Sequence, residues 1–195
     1  MYLVGIDEVG RGALAGPVIV GVVALPTDKR FSNLRDSKKL TPGAREDWLA
    51  YIKSRPEIIY AIGRVYPKKI DKINISKAAN LAATYACLRL FKRMYEGKEI
   101  KVYLDGGLYL NEALITGRGF TCKTKTIIKG DEKVNAIKLA SIVAKVTRDR
   151  YMVKLHSSYP KYGFDSHKGY GTSYHRRSIK KYGPSLVHRR SFKVK

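Results

Sequence analysis

An apolar run near the start of the chain leads directly into two adjacent acids and then into a turn that holds an arginine between two glycines. The run begins at Val4, the acids are Asp7 and Glu8, and the turn is Gly10-Arg11-Gly12. A second apolar run, Val18 to Leu25, follows, so the pattern predicts two neighbouring strands with acids at the end of the first. Burying such charges beside core strands costs several kcal/mol unless something compensates for them. A divalent metal would compensate, and the glycine-flanked arginine suits a phosphate. We therefore expect a metal-dependent site that acts on a phosphodiester.

The charge of the chain indicates a polyanionic partner. Its 195 residues carry 39 Lys and Arg against 16 Asp and Glu, which gives a formal net charge of +23. This excess is larger than solubility requires, and it favours nucleic acid first and a membrane surface second. A hydrophobic content of 44% is enough for a sizeable core and excludes a disordered chain.

The cysteines and the N-terminus argue against export. Cys87 and Cys122 form no CxxC pair, which favours reduced thiols and leaves a disulfide between them as the alternative. The N-terminus has no basic segment, and no stretch of the chain is long and apolar enough for a membrane span. We therefore expect a cytoplasmic protein.

Strand-like and helix-like patterns alternate after the first strand pair, which predicts an α/β or α+β domain with a mixed sheet. Thr41-Pro42 is a typical helix start, with the threonine as N-cap and the proline at the first helical position. Ser76 is expected to cap the next helix. The predicted strands are 2–8, 18–25, 57–65, 100–105 and 121–128, and the predicted helices are 41–53, 76–95 and 135–156.

Four acids follow strand-like runs and are candidate metal ligands: Asp7, Glu8, Asp105 and Asp131. Sites in α/β sheets form at strand ends, where such acids converge. Carboxylate oxygens suit Mg²⁺, and a pair of such ions suits phosphodiester cleavage. Adjacent residues of an ideal strand point to opposite faces, so Asp7 and Glu8 reach one site only if the glycine turn bends the chain near Glu8.

The last part of the chain, residues 151–195, is basic and rich in aromatic residues. It holds 11 Lys and Arg, one acid, all four histidines and six of the fourteen tyrosines. Cations suit phosphates and aromatic rings suit sugars and bases, so we expect this part to bind nucleic acid, with a solvated tail as the alternative. The histidines, which are His156, His167, His175 and His188, lack metal-ligand spacing and are expected to contact phosphate or lie on the surface.

Other chemistries fit less well. Gly10-x-Gly12-x-x-Ala15 is similar to a dinucleotide-binding fingerprint, but that motif opens a helix, and here Val18 begins a strand pattern. The chain has no P-loop and no GxSxG nucleophile motif.

The motifs together resemble type 2 ribonuclease H, the family of the bacterial ribonuclease HII, and they cover nearly the whole chain. Two of these motifs are the Asp-Glu-Val-Gly-Arg-Gly stretch and the block from His167 to Thr172. The matching blocks are Gly5 to Gly12, Gly16 to Val18, Asp36 to Leu40, Asn74 to Ile75, Tyr103 to Gly106, Lys129 to Asp131, Ala140 to Arg150, His167 to Thr172 and His188 to Phe192.

The resemblance implies an RNase H-like fold, a mixed five-stranded sheet flanked by helices with a small helical C-terminal part. It implies a single catalytic domain over 1–195, with 151–195 as its substrate-binding part. The activity implied is a metal-dependent endoribonuclease that hydrolyses the RNA strand of RNA–DNA hybrids. The family also nicks duplex DNA on the 5′ side of an embedded ribonucleotide, in ribonucleotide excision repair, and leaves 3′-hydroxyl and 5′-phosphate ends by a two-metal mechanism.

The resemblance also assigns roles to individual residues. The catalytic acids that hold Mg²⁺ or Mn²⁺ would be Asp7, Glu8, Asp105 and Asp131. Three residues would contact the backbone around the ribonucleotide, Gly10, Arg11 and Gly12, while three would contact phosphates, Ser37, Lys38 and Lys39. Tyr170 would pack at the junction sugar.

Two departures from the family pattern are Val9, where alanine is usual, and Lys138, where small or apolar residues are usual. The partners implied are RNA–DNA hybrid and ribonucleotide-containing duplex. A monomer without a clamp-binding tail and without membrane contact is expected. A nucleic-acid-binding protein without catalysis and a nuclease restricted to long hybrids are the alternatives.

Overall fold

A five-stranded mixed sheet runs through the middle of the molecule, which is seen in a computed structural model that describes residues 1–94, 99–110, 113 and 120–194. Its strand order is β3-β2-β1-β4-β5. β1 and β3 run antiparallel to β2, and β4 runs parallel to β1 and β5. The strands are β1 (Tyr2–Val9), β2 (Val18–Pro26), β3 (Ile59–Val65), β4 (Glu99–Asp105) and β5 (Thr121–Ile127).

Helices cover both faces of this sheet and form the C-terminal part. Short 3-10 turns lie at Ser37–Lys39 and Pro160–Tyr162. In the described residues the helices are α1 (Pro42–Lys53), α2 (Pro67–Ile73), α3 (Ile75–Phe91), α4 (Gly130–Lys133), α5 (Asn135–Ser158), α6 (Phe164–His167) and α7 (Ser173–Tyr182). The predicted fold class is confirmed.

Local signals set the start of α1 correctly. Thr41 Oγ1 accepts a hydrogen bond from the Ala44 N–H at 3.2 Å, and Pro42 is the first helical residue. Leu49 and Ile52 of the predicted apolar stripe are buried. The helix ends at Lys53, as the sequence predicts.

The region after β3 differs from the prediction. Pro67 begins α2 rather than merely ending a strand, because its fixed backbone angle and missing N–H suit the first helical position. Asn74, not Ser76, caps α3, and its Oδ1 accepts from the Lys77 N–H at 3.0 Å. The helix ends at Phe91, before the predicted end at Tyr95, and residues 92–94 are not helical. Tyr95 itself lies outside the described residues.

Small residues let the two large helices approach the sheet closely. On one face, a Cβ added at Gly63 of β3 would lie 1.8 Å from the Ala82 carbonyl oxygen of α3. On the other face, a Cβ added at Gly21 of β2 would lie 2.3 Å from the Ala140 carbonyl oxygen of α5. The alanines of both helices therefore allow backbone-to-strand packing that larger side chains would prevent.

The edge strand β3 is covered by one arginine of α3 and by another just after its end. Arg93 Nη1 donates to the Tyr60 carbonyl at 2.8 Å, and Arg89 Nη1 donates to the Ile62 carbonyl. These bonds satisfy acceptors that an edge strand otherwise leaves to water.

The C-terminal part folds back under the segment that joins β1 to β2. Ala15 forms an isolated antiparallel bridge with His188. A small apolar cluster forms between these segments, with Leu14, Met152 and Phe164 among its members. Residues 159–192 are therefore a packed part of the molecule and not a solvated tail.

The surface position expected for the histidines is wrong for His175 and His188, which are 0% and 4% exposed. Their Nε2 atoms lie 3.0 Å apart. The Ser185 N–H donates to His188 Nδ1, and His175 Nδ1 lies 3.0 Å from the Tyr170 carbonyl. Two neutral rings thus complete a chain of hydrogen bonds, which is why they are buried without a charge partner. No helix in the described part of the chain is long and apolar enough to cross a membrane.

Candidate active site

Three predicted acids are positioned by the parallel end of the sheet. Ile6 of β1 lies opposite Leu104 of β4, so Asp7 and Asp105 follow at neighbouring strand ends. Asp131 comes just after β5, in the first turn of α4. Because parallel strands end at the same edge, the sheet alone brings carboxylates from three separate segments to one side of the molecule.

A cleft of about 370 Å³ opens at this edge. Acids from the strand ends line it together with hydroxyl and ammonium groups from the first 3-10 turn and from α5, and with a tyrosine of the C-terminal part. Its lining residues are Asp7, Glu8, Val9, Ser37, Lys38, Asp105, Ser141, Lys145 and Tyr170. Asp131 joins the cleft through Lys38, whose Nζ lies 2.8 Å from Asp131 Oδ2. Lys39 is exposed beside it.

Asp7 and Glu8 both line the cleft although they are adjacent in the same strand. The predicted bend near Glu8 is wrong in its position, because β1 continues to Val9 and the chain turns at Gly10, with φ of 89°. Arg11 Nη1 approaches Glu8 Oε1 at 3.4 Å from this turn. The longer glutamate side chain therefore reaches the cleft from the end of the strand.

The carboxylates are poorly compensated. Burial raises the pKa of Asp7 to about 8, helped by the charges of Glu8 and Asp105 and opposed by a hydrogen bond from Ser141. Burial also raises the pKa of Glu8 and of Asp105 above their usual values. Glu8 Oε2 is buried without a hydrogen-bond partner. Such uncompensated oxygens disfavour the charged forms unless a cation joins them.

The donor set fits a hard divalent ion. Carboxylate oxygens from neighbouring strand ends and a partnerless Glu8 Oε2 are what such an ion prefers as ligands. Within residues 1–94, 99–110, 113 and 120–194, no three His, Cys, Asp or Glu side chains are grouped tightly enough to hold a metal as they stand. The Lys38 ammonium forms an ion pair with the Asp131 carboxylate instead. A metal ligated by Asp131 Oδ2 would therefore have to displace Lys38 from that oxygen.

Two cleft residues were not singled out by the sequence. Ser141 lies on the buried side of α5, and its hydroxyl is 2.7 Å from that of Ser37, which is 3% exposed. Lys145, one turn further on, has its Nζ 2.9 Å from Asp149 Oδ1. A serine among the apolar positions of α5 is the signal that points to this site, because a buried hydroxyl needs a partner.

The glycine-flanked turn lies beside the cleft. The Ala13 N–H donates to the Gly10 carbonyl at 3.4 Å, and Arg11 Nη2 reaches Ser76 Oγ at 3.2 Å. Gly12 is exposed, with no atom within 4 Å of the position a Cβ would take. The Tyr170 ring reaches the same cleft from the C-terminal part.

Comparisons with known proteins agree with this geometry. A family model described as ribonuclease HII matches residues 4–195. The ribonuclease HII of Chlamydia caviae is 42% identical over 190 residues, which cover 97% of this chain and 83% of that protein.

Solved structures give the same result. The ribonuclease H2 from Pyrococcus horikoshii OT3 matches with a TM-score of 0.79 at 28% identity, over 100% of this chain and 95% of that chain. The RNase HII of a PCNA complex from Archaeoglobus fulgidus matches with a TM-score of 0.75 at 27% identity, over 100% and 96%. The chain therefore belongs to the ribonuclease HII family, hydrolases of the ribonuclease H type that act on the RNA of RNA–DNA hybrids.

Proposed function

We propose that this protein is a two-metal endoribonuclease for RNA–DNA junctions. It cuts the RNA strand of hybrids and nicks duplex DNA on the 5′ side of a single embedded ribonucleotide, leaving 3′-hydroxyl and 5′-phosphate ends. The supporting observation is one cleft that combines Asp7, Glu8 and Asp105 with Tyr170, next to the Gly10–Gly12 turn. Acids beside a phosphate-sized turn are the arrangement that metal-assisted phosphodiester cleavage needs.

Four acids are proposed as the ligands of Mg²⁺ or Mn²⁺: Asp7, Glu8, Asp105 and Asp131. These acids would hold the ions, and ions bound there would supply the activation of a water molecule and the stabilisation of the leaving 3′ oxygen. Ser141 orients Asp7 through the hydrogen bond it donates to that carboxylate. Arg11 holds Glu8 toward the cleft. Lys38, released from Asp131, is long and exposed enough to meet a substrate phosphate, with Lys39 beside it.

Recognition is proposed to depend on the sugar and not on the base. The 2′-hydroxyl is the chemical mark that distinguishes a ribonucleotide from its neighbours. Gly10, Arg11 and Gly12 are proposed to contact it: Gly12 is exposed, Arg11 is half-buried, and the buried Gly10 sets the shape of the turn. Tyr170 lines the same cleft and is proposed to pack against the junction sugar. Ser37 is assigned an indirect part, since its buried hydroxyl is bonded to Ser141.

The basic part 151–195 is proposed to bind the duplex backbone. Its 11 Lys and Arg against one acid favour affinity that depends on salt and not on sequence. The monomeric state and the cytoplasmic location stay predictions. One solved neighbour is the PCNA:RNase HII complex from Archaeoglobus fulgidus, so a binding assay with a sliding clamp tests whether this protein has such a partner.

One assay tests the function. A DNA duplex with a single ribonucleotide is incubated with the protein and Mg²⁺, Mn²⁺ or EDTA, and the nick is mapped by denaturing gel. We expect one cut on the 5′ side of the ribonucleotide with either metal and none with EDTA or with an all-DNA duplex. Cleavage of continuous hybrid only would show a nuclease restricted to long hybrids, and cleavage in EDTA would refute the metal mechanism.

A further inference from the structure

Two arginines of this protein are buried without an acidic partner. Arg148 of α5 is 0% exposed and Arg189 is 2% exposed. Among the described residues neither forms a salt bridge. Burial lowers the pKa of Arg189 to about 9, and the charge of Arg148 contributes to this shift. Burying an unpaired guanidinium is unfavourable, so its contacts need an explanation.

Arg189 binds the segment that contains the glycine-flanked turn. Its Nη1 donates to the Arg11 carbonyl at 2.8 Å, and its Nε donates to the Gly16 carbonyl at 3.0 Å. Its backbone N–H also donates to the Leu14 carbonyl at 2.8 Å. Among the described residues no group accepts a hydrogen bond from its buried Nη2. The side-chain bonds of Arg189 therefore go to carbonyls of this one segment.

The bond to the Arg11 carbonyl fixes how the turn faces the substrate. In a trans peptide the C=O and the following N–H point in opposite directions. A carbonyl drawn inward by Arg189 therefore turns the Gly12 N–H outward. Gly12 is exposed, and no described backbone group accepts from its N–H. The turn thus presents a free donor at the surface beside the cleft.

Arg148 connects the same segment to Tyr170. Its Nε donates to the Pro17 carbonyl at 3.1 Å, its Nη2 to the Ala15 carbonyl at 3.1 Å and its Nη1 to the Lys168 carbonyl at 2.8 Å. Its Cζ lies 5.2 Å from the centroid of the Tyr170 ring. One guanidinium therefore holds both the segment after the turn and the segment that carries the tyrosine.

Gly10 provides the space for this contact. A Cβ at Gly10 would lie 2.2 Å from Arg148 Nε, and the φ of 89° also disfavours any other residue there. The first glycine of the turn is thus fitted to the buried guanidinium.

We propose that Arg189 and Arg148 are positioning residues for junction recognition: Arg189 orients the Gly12 N–H toward the ribonucleotide, and Arg148 fixes the distance between the turn and Tyr170. Neither residue touches the substrate. The inference rests on the proposed function, because it assigns the turn and Tyr170 as the elements that read the junction sugar.

A lysine at either position preserves the charge but not the planar fork that binds two or three carbonyls at once. We expect Arg189→Lys and Arg148→Lys to lower kcat/KM on a single embedded ribonucleotide about tenfold more than kcat/KM on continuous hybrid. The measurement is the ratio of the two values for each variant, at a temperature at least ten degrees below its melting point.

Met152→Ala is the matched control. Met152 packs against Gly16 and Gly169 in the same assembly but supplies no side-chain hydrogen bond to the turn. If loss of packing were the cause, Met152→Ala would lower the ratio as much as the lysine variants do. We expect instead that its two kcat/KM values fall together, and an equal fall in the ratio overturns the proposal.

Chemical rescue tests whether the planar guanidinium of Arg189 is the group that the turn requires. Arg189 lines a cleft of about 470 Å³ on the side away from the acids, so a small cation can reach the space left by Arg189→Ala. We expect millimolar ethylguanidinium, but not ethylammonium, to restore the substrate ratio of this variant. Rescue by both cations, or by neither in a variant with wild-type circular dichroism, overturns the proposal. If the wild type itself does not cut at a single ribonucleotide, the proposed function fails first.

Discussion

The molecule carries two clusters of buried charge, and they are treated in opposite ways. At the strand ends, the carboxylates of Asp7, Glu8 and Asp105 face one another with few partners, and the pKa of each is raised. Beneath the turn, Arg148 and Arg189 donate five hydrogen bonds to backbone carbonyls. Both clusters contact the Gly10–Gly12 turn, because Arg11 approaches Glu8 and its carbonyl accepts from Arg189.

The difference distinguishes side chains that are available to bind a ligand from side chains that hold the backbone in place. A charge that the protein leaves uncompensated is ready for an external ligand, whereas a charge bonded to main-chain carbonyls fixes the backbone. In the proposed function the acids therefore take part in the chemistry, and the arginines determine the shape of the surface beside it. Variants of the two clusters should fail in different ways.

The largest effect is expected on the acid side. Asp105→Asn removes one of the proposed ligand charges, and we expect metal-dependent cleavage to fall by ~10³-fold or more. Duplex binding should persist, because it depends on the basic surface. Single-turnover cleavage and fluorescence anisotropy measure the two properties. Asp165→Asn removes an equal charge from an acid outside the cleft and should cut normally; a wild-type rate for Asp105→Asn would refute the ligand assignment.

A smaller effect is expected one contact away from the acids. Ser141→Ala removes the hydrogen bond to Asp7 and the one shared with Ser37, which leaves the carboxylate free to rotate. We expect Mn²⁺ affinity and cleavage to fall about 10- to 100-fold, in the range typical for groups that orient metal ligands. A Mn²⁺ titration followed by cleavage rate measures this. Ser178→Ala, at another buried serine, should leave the titration unchanged, and an unchanged titration for Ser141→Ala would remove its orienting role.

Tyr170 is next to both clusters, since it lines the cleft with the acids and its ring lies against Arg148. Tyr170→Ala should lower kcat/KM on a single embedded ribonucleotide about tenfold more than on continuous hybrid, because only the former depends on one junction sugar. The same pair of substrates provides the measurement. Tyr182→Ala, an exposed tyrosine of α7, is the control. Equal losses on both substrates would show that Tyr170 does not discriminate.

The smallest effect is on stability and tests the scaffold side. The pKa values of His175 and His188 are each lowered to about 4 by burial, below their ordinary value of 6.5. The unfolded chain therefore binds more protons between these values, so the stabilisation is present above pH 6.5 and is lost as the pH falls toward 4. His167 is stacked on His175 with ring centroids 4.4 Å apart, and burial lowers its pKa as well.

We expect the free energy of unfolding of the wild type to fall by about 1–2 kcal/mol more than that of His188→Gln between pH 7 and pH 5. Urea unfolding at the two pH values measures it. Ser178→Ala, at a buried position of α7 that does not titrate, should keep the wild-type dependence. An identical pH dependence in wild type and His188→Gln would show that the pair does not titrate in this range.

The sequence predicts the acid side better than the arginine side for a physical reason. Asp7 and Asp105 end apolar runs, and parallel strands carry such ends to one edge, so local pattern and topology suffice. The start of α1 at Thr41-Pro42 is equally local. The arginines differ, because their partners are carbonyls, which every residue has and no residue type reveals.

Other differences have the same origin. Pro67 was expected to end β3, but a proline ends one element and begins another with equal ease, so α2 was missed. The burial of His175 and His188 depends on hydrogen bonds with Tyr170 and Ser185 that only the folded chain brings together. Basic composition near these histidines favoured a surface position, whereas long-range packing placed them inside.

The hydrogen bonds that Arg89 and Arg93 donate to the edge strand β3 have a consequence for the behaviour of the protein in solution. With the carbonyls of Tyr60 and Ile62 already engaged by Arg93 and Arg89, this edge offers few acceptors for the strand of a second molecule. Two cationic side chains at the edge also repel the like-charged edge of another copy. The β3 edge of the sheet is thereby protected against strand-to-strand aggregation.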